Sequence, residues 1–422
     1  MSRKDVIIIG AGLAGIAAAW TLQKRGHKVV VLEANDGPAL EASFANAGAL
    51  TPSEPEPWNA PGVHWQLITS LFDPHAAMKL RLRPLPGLIS WGLRFLRNST
   101  RKRYEAATRA NFALSTYSAR LTLEAGKALG LAFDNLPNGT LKICRDQAGL
   151  DATIEAAKLL EAEGMRYHVL DSKQTVEREP QLASVADKLA GSVLYPDDQS
   201  GDARQYITAL AEAAAADGVE FEYNTPVTDL LDRAGRVVGV YTQSEVLEVD
   251  AVILTAGQAS WQLMKPLGLH LPVRPVKGYS ITLDMSGLNS RPAVPVVDEA
   301  MHAIATPMGD RLRVAGTAEI AGTDKTVRRD RIDNLKQMLR SLYPDFADQI
   351  LTGDLKEWTG LRPMSADGRP FIGQTRAKGL WLSCGHGHLG WTQAMGSAAL
   401  LADLLDGEET KIDPAPFAAD RI

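Results

Sequence analysis

Val6 to Ile9 is an unbroken apolar, β-branched run, and such a run predicts a parallel strand buried on both faces. Alanine-rich helical spacing follows from about Leu13 to Lys24, Gly26 stops it, and "KVVVLE" is a second strand. From about His64 to Gly130 the pattern is helical. It then predicts a strand near Gly139 to Cys144, a helix near Gly149 to Glu163, and a short strand near Arg166 to Val169. Alternation resumes at Gly191, with a helix from Ala203 to Gly218 and strands on both sides of "NTPV". "GRVVGVYTQS" and "EVLEVDAVILTAGQAS" carry an apolar strand to a small-residue turn, and "LPVRPVKGYSITLDM" and "RLRVAGTAEIAG" read as antiparallel strands. The last stretch, "GLWLSCGHGHLGWTQAMGSAALLADLLDG", is a strand, a glycine loop and a helix whose core face is Met395, Ala398, Leu401 and Leu405.

This order predicts an α/β chain of two interleaved domains. A Rossmann-like nucleotide-binding domain takes residues 1–63, 191–269 and 356–422. A second, α+β domain with an antiparallel sheet takes 64–190 and 270–355. No internal repeat or low-complexity tract interrupts it.

The first turn carries chemistry. Gly10, Gly12 and Gly15 form G-x-G-x-x-G: the first allows a tight turn, the second lets backbone approach a pyrophosphate, and the third lets helix and strand pack closely. Helix N–H groups then face the diphosphate. Glu33 ends the second strand, where a carboxylate accepts ribose hydroxyls and disfavours a 2′-phosphate. NAD and FAD both satisfy this pattern.

Composition narrows the classes. The 422 residues suffice for two or three domains, and 45% apolar with 23% charged residues is globular. A net charge of −5 argues against nucleic acid as a partner. Cys144 and Cys384 have no metal or redox spacing, which fits a reducing compartment. No apolar run is long enough to span a bilayer, and "MSRKDVIIIGAGLAG" reads as structure rather than a signal peptide. The expected location is cytoplasmic.

Two segments stand out. Pro74 to Tyr104 has no Asp or Glu but carries Lys79, Arg81, Arg83, Arg94, Arg97, Arg101, Lys102 and Arg103 among apolar residues. It reads either as a peripheral contact with an anionic inner-membrane surface or as an amphipathic helix packed on the second domain. "EWTGLRPMSADGRPFIG" places Arg362 in a turn-forming connector, where a guanidinium needs water, an internal acid such as Asp367 or Glu357, or an incoming anion.

With "VIIIGAGLAGIAAAW", "SFANAGALTPSEPEPWNAPGV", "DDQSGDARQYITALA", "PVKGYSIT", "WTGLRPMSADGRPFIG" and "CGHGHLGWTQAMGSA" in this order, the chain resembles the FAD-dependent D-amino-acid dehydrogenases of the D-amino-acid oxidase and glycine oxidase group. The resemblance implies non-covalent FAD. It implies contacts from Val6, Ile9, Gly10, Ala11, Gly12, Leu13, Ala14 and Gly15, from Glu33 and Ala34, and from the small polar loop of Ser43, Asn46, Ala47 and Gly48. Val227 is expected against adenine, with Ala256 and Gly257 close by. Gly387, His388, Leu389, Gly390, Trp391 and Thr392 are expected near the flavin ring. Arg362 is the expected clamp for a substrate carboxylate, and Tyr279 either caps the pocket or is a packed strand residue. His386 and His388, lacking a third ligand, are expected to be packing residues, with no metal.

The implied reaction is oxidative deamination of a D-amino acid, with a small apolar one such as D-alanine expected. It yields a 2-oxo acid and ammonia and passes electrons to a carrier such as quinone. Oxidation of a secondary amine such as D-proline or D-hydroxyproline is the alternative, and a flavin-binding sensor without turnover is the rival from another class.

Overall fold

A computed structural model describes residues 3–70, 76, 78–81 and 83–421. Positions 74, 75, 77 and 82 of the basic segment lie outside the described residues. The first sheet runs in the order Phe371–Gln374, Leu380–Cys384, Ala251–Leu254, Asp5–Ile9, Lys28–Leu32, Glu220–Glu222. Neighbours are parallel except at the Phe371–Gln374 edge. Its central strands are apolar on both faces because both are covered. The helices Leu13–Lys24, Ala203–Ala216 and Gly390–Asp406 share one core. On the other side lie the strands Asp229–Arg233, Arg236–Tyr241 and Val246–Glu248, whose buried residues join a second core.

The second sheet runs Lys356–Ser365, Val273–Asp284, Arg311–Ile320, Ala303–Met308, Val296–Asp298, Thr140–Cys144, Gly191–Tyr195, His168–Leu170, with Met78–Leu80 beside Arg311–Ile320. Most neighbours are antiparallel. The helix Arg329–Leu342 lays Ile332, Leu335, Met338, Leu339 and Leu342 against Tyr279, Ile281 and Leu283 of the sheet. That stripe at helical spacing buries an apolar face against a sheet face, the usual way such layers hold together.

Three expected boundaries shift. Gly191–Tyr195 and Lys356–Ser365 were placed with the nucleotide-binding domain, but they pair with Thr140–Cys144 and Val273–Asp284 in the second sheet. A short apolar strand carries no mark of the sheet it will join. The helix Arg101–Leu129, expected with the second domain, sends Leu114, Ala119 and Ala125 into the nucleotide-domain core. Small polar residues allow the approach: Gly396 N–H donates to Ser118 Oγ at 2.9 Å, and Gln393 Nε2 to Ser115 Oγ at 3.2 Å.

Candidate active site

One cavity of about 1600 Å³ runs between the two sheets. Gly10, at the end of the first strand, has φ +105, a conformation that favours glycine. A Cβ built on Gly15 would fall on the Gly10 carbonyl, so helix and turn pack as the motif requires. Thr255 pins the turn, its Oγ1 donating to the Ile9 carbonyl at 2.7 Å and the Gly10 carbonyl at 3.1 Å. Gly12 adds no side-chain cap, and Ser43 Oγ accepts from Leu13 N–H at 3.3 Å at this helix start, whose dipole suits an anion. Glu33 accepts from Ala11 N–H at 2.6 Å and from Asn35 N–H at 2.9 Å, which fixes its carboxylate at the strand end beside the cavity.

At the other end, the turn Gly387–Leu389 leads into the helix Gly390–Asp406, again with no side-chain cap. Burial holds His386 and His388 down at about 4, so both imidazoles are neutral at physiological pH. His388 Nε2–H donates to the Glu54 carbonyl at 3.3 Å, and its ring stacks on Trp58 at 5.2 Å. His386 Nε2 bonds Ser397 Oγ at 3.0 Å. Burial also pushes the Cys384 thiol up to about 12, so it is inert as a nucleophile.

Arg362 lies on the strand Lys356–Ser365, where the register opposes Gly278 to Gly360 and Val276 to Arg362. With no side chain on either glycine, the guanidinium rests across Gly278, where any Cβ would strike it. Its Nη1 donates to the Thr317 carbonyl at 3.2 Å, and it lies 5.4 Å from the Trp58 ring centroid. Thr317 and Ala318 together oppose Gly278, a β-bulge with Thr317 at φ +56. Burial lowers Arg362 to about 10, so it stays cationic at neutral pH. Both candidate internal acids are taken: Asp367 pairs with Arg369 at 2.7 Å and Arg421 at 2.8 Å, and Glu357 with Arg329 at 2.6 Å. Among the described residues no carboxylate forms an ion pair with Arg362.

Most expected cofactor contacts line this cavity: Ile9, Gly10, Gly12, Leu13, Ala14, Glu33, Ala34, Ser43, Asn46, Ala47, Val227, Ala256, Gly257 and the run Gly387 to Trp391. Five do not. Val6 is buried within the sheet, and Ala11 reaches the site only through its N–H bond to Glu33. Gly15 serves helix packing, and Gly48 lies against Met308. Thr392 Oγ1 accepts from Thr51 N–H at 3.2 Å.

Tyr279 borders the cavity, but its hydroxyl donates to buried Glu319 at 2.6 Å and its side chain joins the core under Arg329–Leu342. Strand alternation explains the correction. Gly278 shares a face with Arg362, so Tyr279 points to the opposite one. Sequence reasoning missed Trp58, Thr317 and the paired Gly278 and Gly360. The available signal was the pair of glycines, one beside Tyr279 and one two residues before Arg362.

A glycine turn suited to a dinucleotide pyrophosphate and an arginine without a carboxylate partner among the described residues thus share one cavity. The chain belongs to the FAD-dependent oxidoreductase family, whose model matches residues 5–404. It is 40% identical over 419 residues to a D-amino acid dehydrogenase of Rhizobium johnstonii, covering 99% of both chains. It is 38% identical to the D-amino acid dehydrogenase of Paramagnetospirillum magneticum, covering 99% of this chain and 98% of that one. Glycine oxidase from Geobacillus kaustophilus shares the fold with a TM-score of 0.78 at 24% identity, each chain covered in full. L-proline dehydrogenase from P. horikoshii also reaches 0.78 at 15% identity, covering 100% of this chain and 98% of that one.

FAD fits the residues present. Two helix N-termini face the same cavity, one suited to the pyrophosphate and one to the negative charge of a reduced flavin. Ser383 Oγ, Thr317 Oγ1 and Trp391 Nε1, all of residues lining the cavity, are buried without a partner among the described residues.

Proposed function

We propose that the protein oxidises the Cα–N bond of D-amino acids, giving an imine that water converts to a 2-oxo acid and ammonia. The observation that carries this is Arg362, a cation on the cavity wall without a carboxylate partner among the described residues. Its guanidinium fork grips the substrate carboxylate through two parallel N–H···O bonds, which fixes orientation as well as charge. The Thr317 carbonyl and the Trp58 ring hold the fork in place. The neutral histidines add no competing charge beside it. Bound FAD supplies the two-electron acceptor for the hydride leaving Cα. The chain's own contribution is chiefly positioning, since no buried acid–base pair is required once the amine arrives neutral. The D preference follows the names of the relatives.

Anaerobic addition of D-amino acids to the flavin-loaded protein tests the reading. Bleaching of the flavin bands with release of one ammonia per flavin is expected. An unchanged spectrum across the panel would refute turnover and leave a flavin-binding protein.

For the electron acceptor, we infer a quinone reached from an anionic bilayer surface. The helix Leu85–Arg97 buries Leu88, Trp91 and Phe95 against the protein, while Ile89, Leu93 and Leu96 form a second apolar stripe in solvent. Trp65 (65% exposed) and Ile68 extend the set of exposed apolar residues, and Arg94, Arg97, Arg101, Lys102 and Arg103 flank it, all exposed. Apolar side chains ringed by cations suit the interface of an anionic membrane. Among the described residues no helix is long and apolar enough to cross one.

A further inference from the structure

Beyond Trp58 the cavity wall carries a group of charges that gripping an amino-acid carboxylate does not use. After a turn at 51–54, residues 54–60 carry Pro55 and Pro57, and Glu54, Glu56, Trp58 and Ala60 line the cavity. Pro55 and Asn59 are buried behind them, while Pro57, also buried, borders the cavity as well. The buried side is anchored: Asn111 Nδ2 donates to the carbonyls of Pro55 at 3.0 Å and Gly368 at 2.9 Å, and Ser53 N–H donates to Asp198 at 3.2 Å. Facing the segment from the second sheet, Lys142 Nζ lies 3.1 Å from Glu54 and 2.9 Å from Glu299. One ammonium therefore serves two carboxylates. Glu56 forms no ion pair among the described residues, so this wall sets three carboxyl groups, Glu54, Glu56 and Glu299, against the one ammonium of Lys142 in the same cavity as Arg362, with burial raising both Glu54 and Glu56. His302 and Tyr104 also line this cavity, and Tyr104 is a neutral phenol, its ionisation opposed by burial and by Glu56.

Resting on the reading of Arg362 as the carboxylate clamp, we propose that Glu56 is a specificity-determining residue that receives a cationic side chain, so that the preferred substrates are D-amino acids ending in an ammonium or guanidinium group. The spacing supports this. The Trp58 ring centroid lies 5.4 Å from the Arg362 guanidinium, and Glu56, two residues earlier on the same cavity wall, stands at most about 7 Å further along the chain. The stem of a lysine or arginine covers a comparable span. The class therefore differs from the small apolar side chain expected from the family resemblance.

The ionisation of Glu56 agrees. Burial pushes its carboxyl up to about 7, with Lys142 opposing the rise and Glu54 and Glu299 adding to it. An acid with a raised pKa is charged above that value and neutral below it. Preference for the cationic side chain is full above about pH 7 and fades as pH falls through it.

The test compares kcat/KM of the flavin-loaded enzyme for D-lysine and D-arginine with D-norleucine, which keeps the lysine stem but ends in methyl. The expected result is at least a tenfold preference for D-lysine over D-norleucine at pH 8, shrinking at pH 6. In Glu56→Gln that ratio falls at least tenfold. In Glu56→Lys it inverts, with D-glutamate gaining on D-lysine. A wild-type enzyme that turns over D-norleucine as well as D-lysine would overturn the proposal with no variant needed, as would a ratio that Glu56→Gln leaves unchanged. If neutral D-amino acids bleach the flavin and cationic ones show no advantage, the Glu56 assignment falls alone. If no D-amino acid bleaches it, the amino-acid reading falls as well.

Discussion

A guanidinium taken from water costs several kcal/mol unless an anion meets it, and the residues around Arg362 keep that demand open. Asp367 and Glu357, its nearest rivals in sequence, are held by Arg369, Arg421 and Arg329. Arg362→Ala should lower kcat/KM for the best D-amino acid at least 100-fold, in keeping with about 3 kcal/mol for a charge-assisted pair. Arg362→Lys should recover part of that loss, and the flavin spectrum should be unaltered in both. Gly278→Ala would put a methyl group into the guanidinium. Its KM should rise at least tenfold while flavin content holds, and a normal KM would show that the slot is not needed. At this scale Arg362 stood out in the sequence because a cation between a Gly-Leu pair and a proline is chemically conspicuous, although the stretch expected as a turn-forming connector begins as the strand Lys356–Ser365. Tyr279 did not. Its orientation depends on the register between strands some 80 positions apart, and only the paired glycines reveal which side it faces.

The unit from Asp5 to Leu32 was readable from its pattern, since strand, glycine turn and helix are each set by local residues. The helix Leu85–Arg97 was readable only in part. Its periodicity announces a helix, but two apolar stripes compete for the core, and which of them is covered depends on neighbours such as Val63, Val276 and Met364. The uncovered stripe gives a prediction that belongs to the element. Flotation with anionic phospholipid vesicles at low salt should capture the wild-type protein, and Leu93→Glu combined with Trp65→Glu should abolish capture while flavin reduction by D-amino acid stays normal. Raising salt should weaken binding, because the cations contribute through screened attraction. Equal capture of the double variant would remove the membrane assignment.

For the molecule as a whole, the cavity lies between the two sheets, so a bound dinucleotide joins them as part of the interior. Free FAD at 100 times its Kd should raise unfolding free energy by about 2.7 kcal/mol. A thermal melt with and without added FAD measures this, and an unchanged midpoint would mean that FAD does not bind the folded protein. The two-domain plan was visible in the sequence, but its seams at 191 and 356 were not. A five-residue apolar strand is equally at home in either sheet, and the choice is made by partners far along the chain.

The segment 54–60 beside Arg362 resembles a comb whose spine and teeth can change independently. Its spine, at Pro55, Pro57 and Asn59, is tied to Asn111, Ala366 and the Gly368 turn. The teeth at 56 and 60 line the cavity, and the one at 54 meets Lys142 across it. Exchanging a tooth would refit the enzyme to another side chain without touching the clamp or the cofactor cradle, whereas altering the spine would disturb all three. Divergence among proteins built on this plan should therefore concentrate at alternate positions of one short stretch, and a small library there is the economical route to new amine substrates.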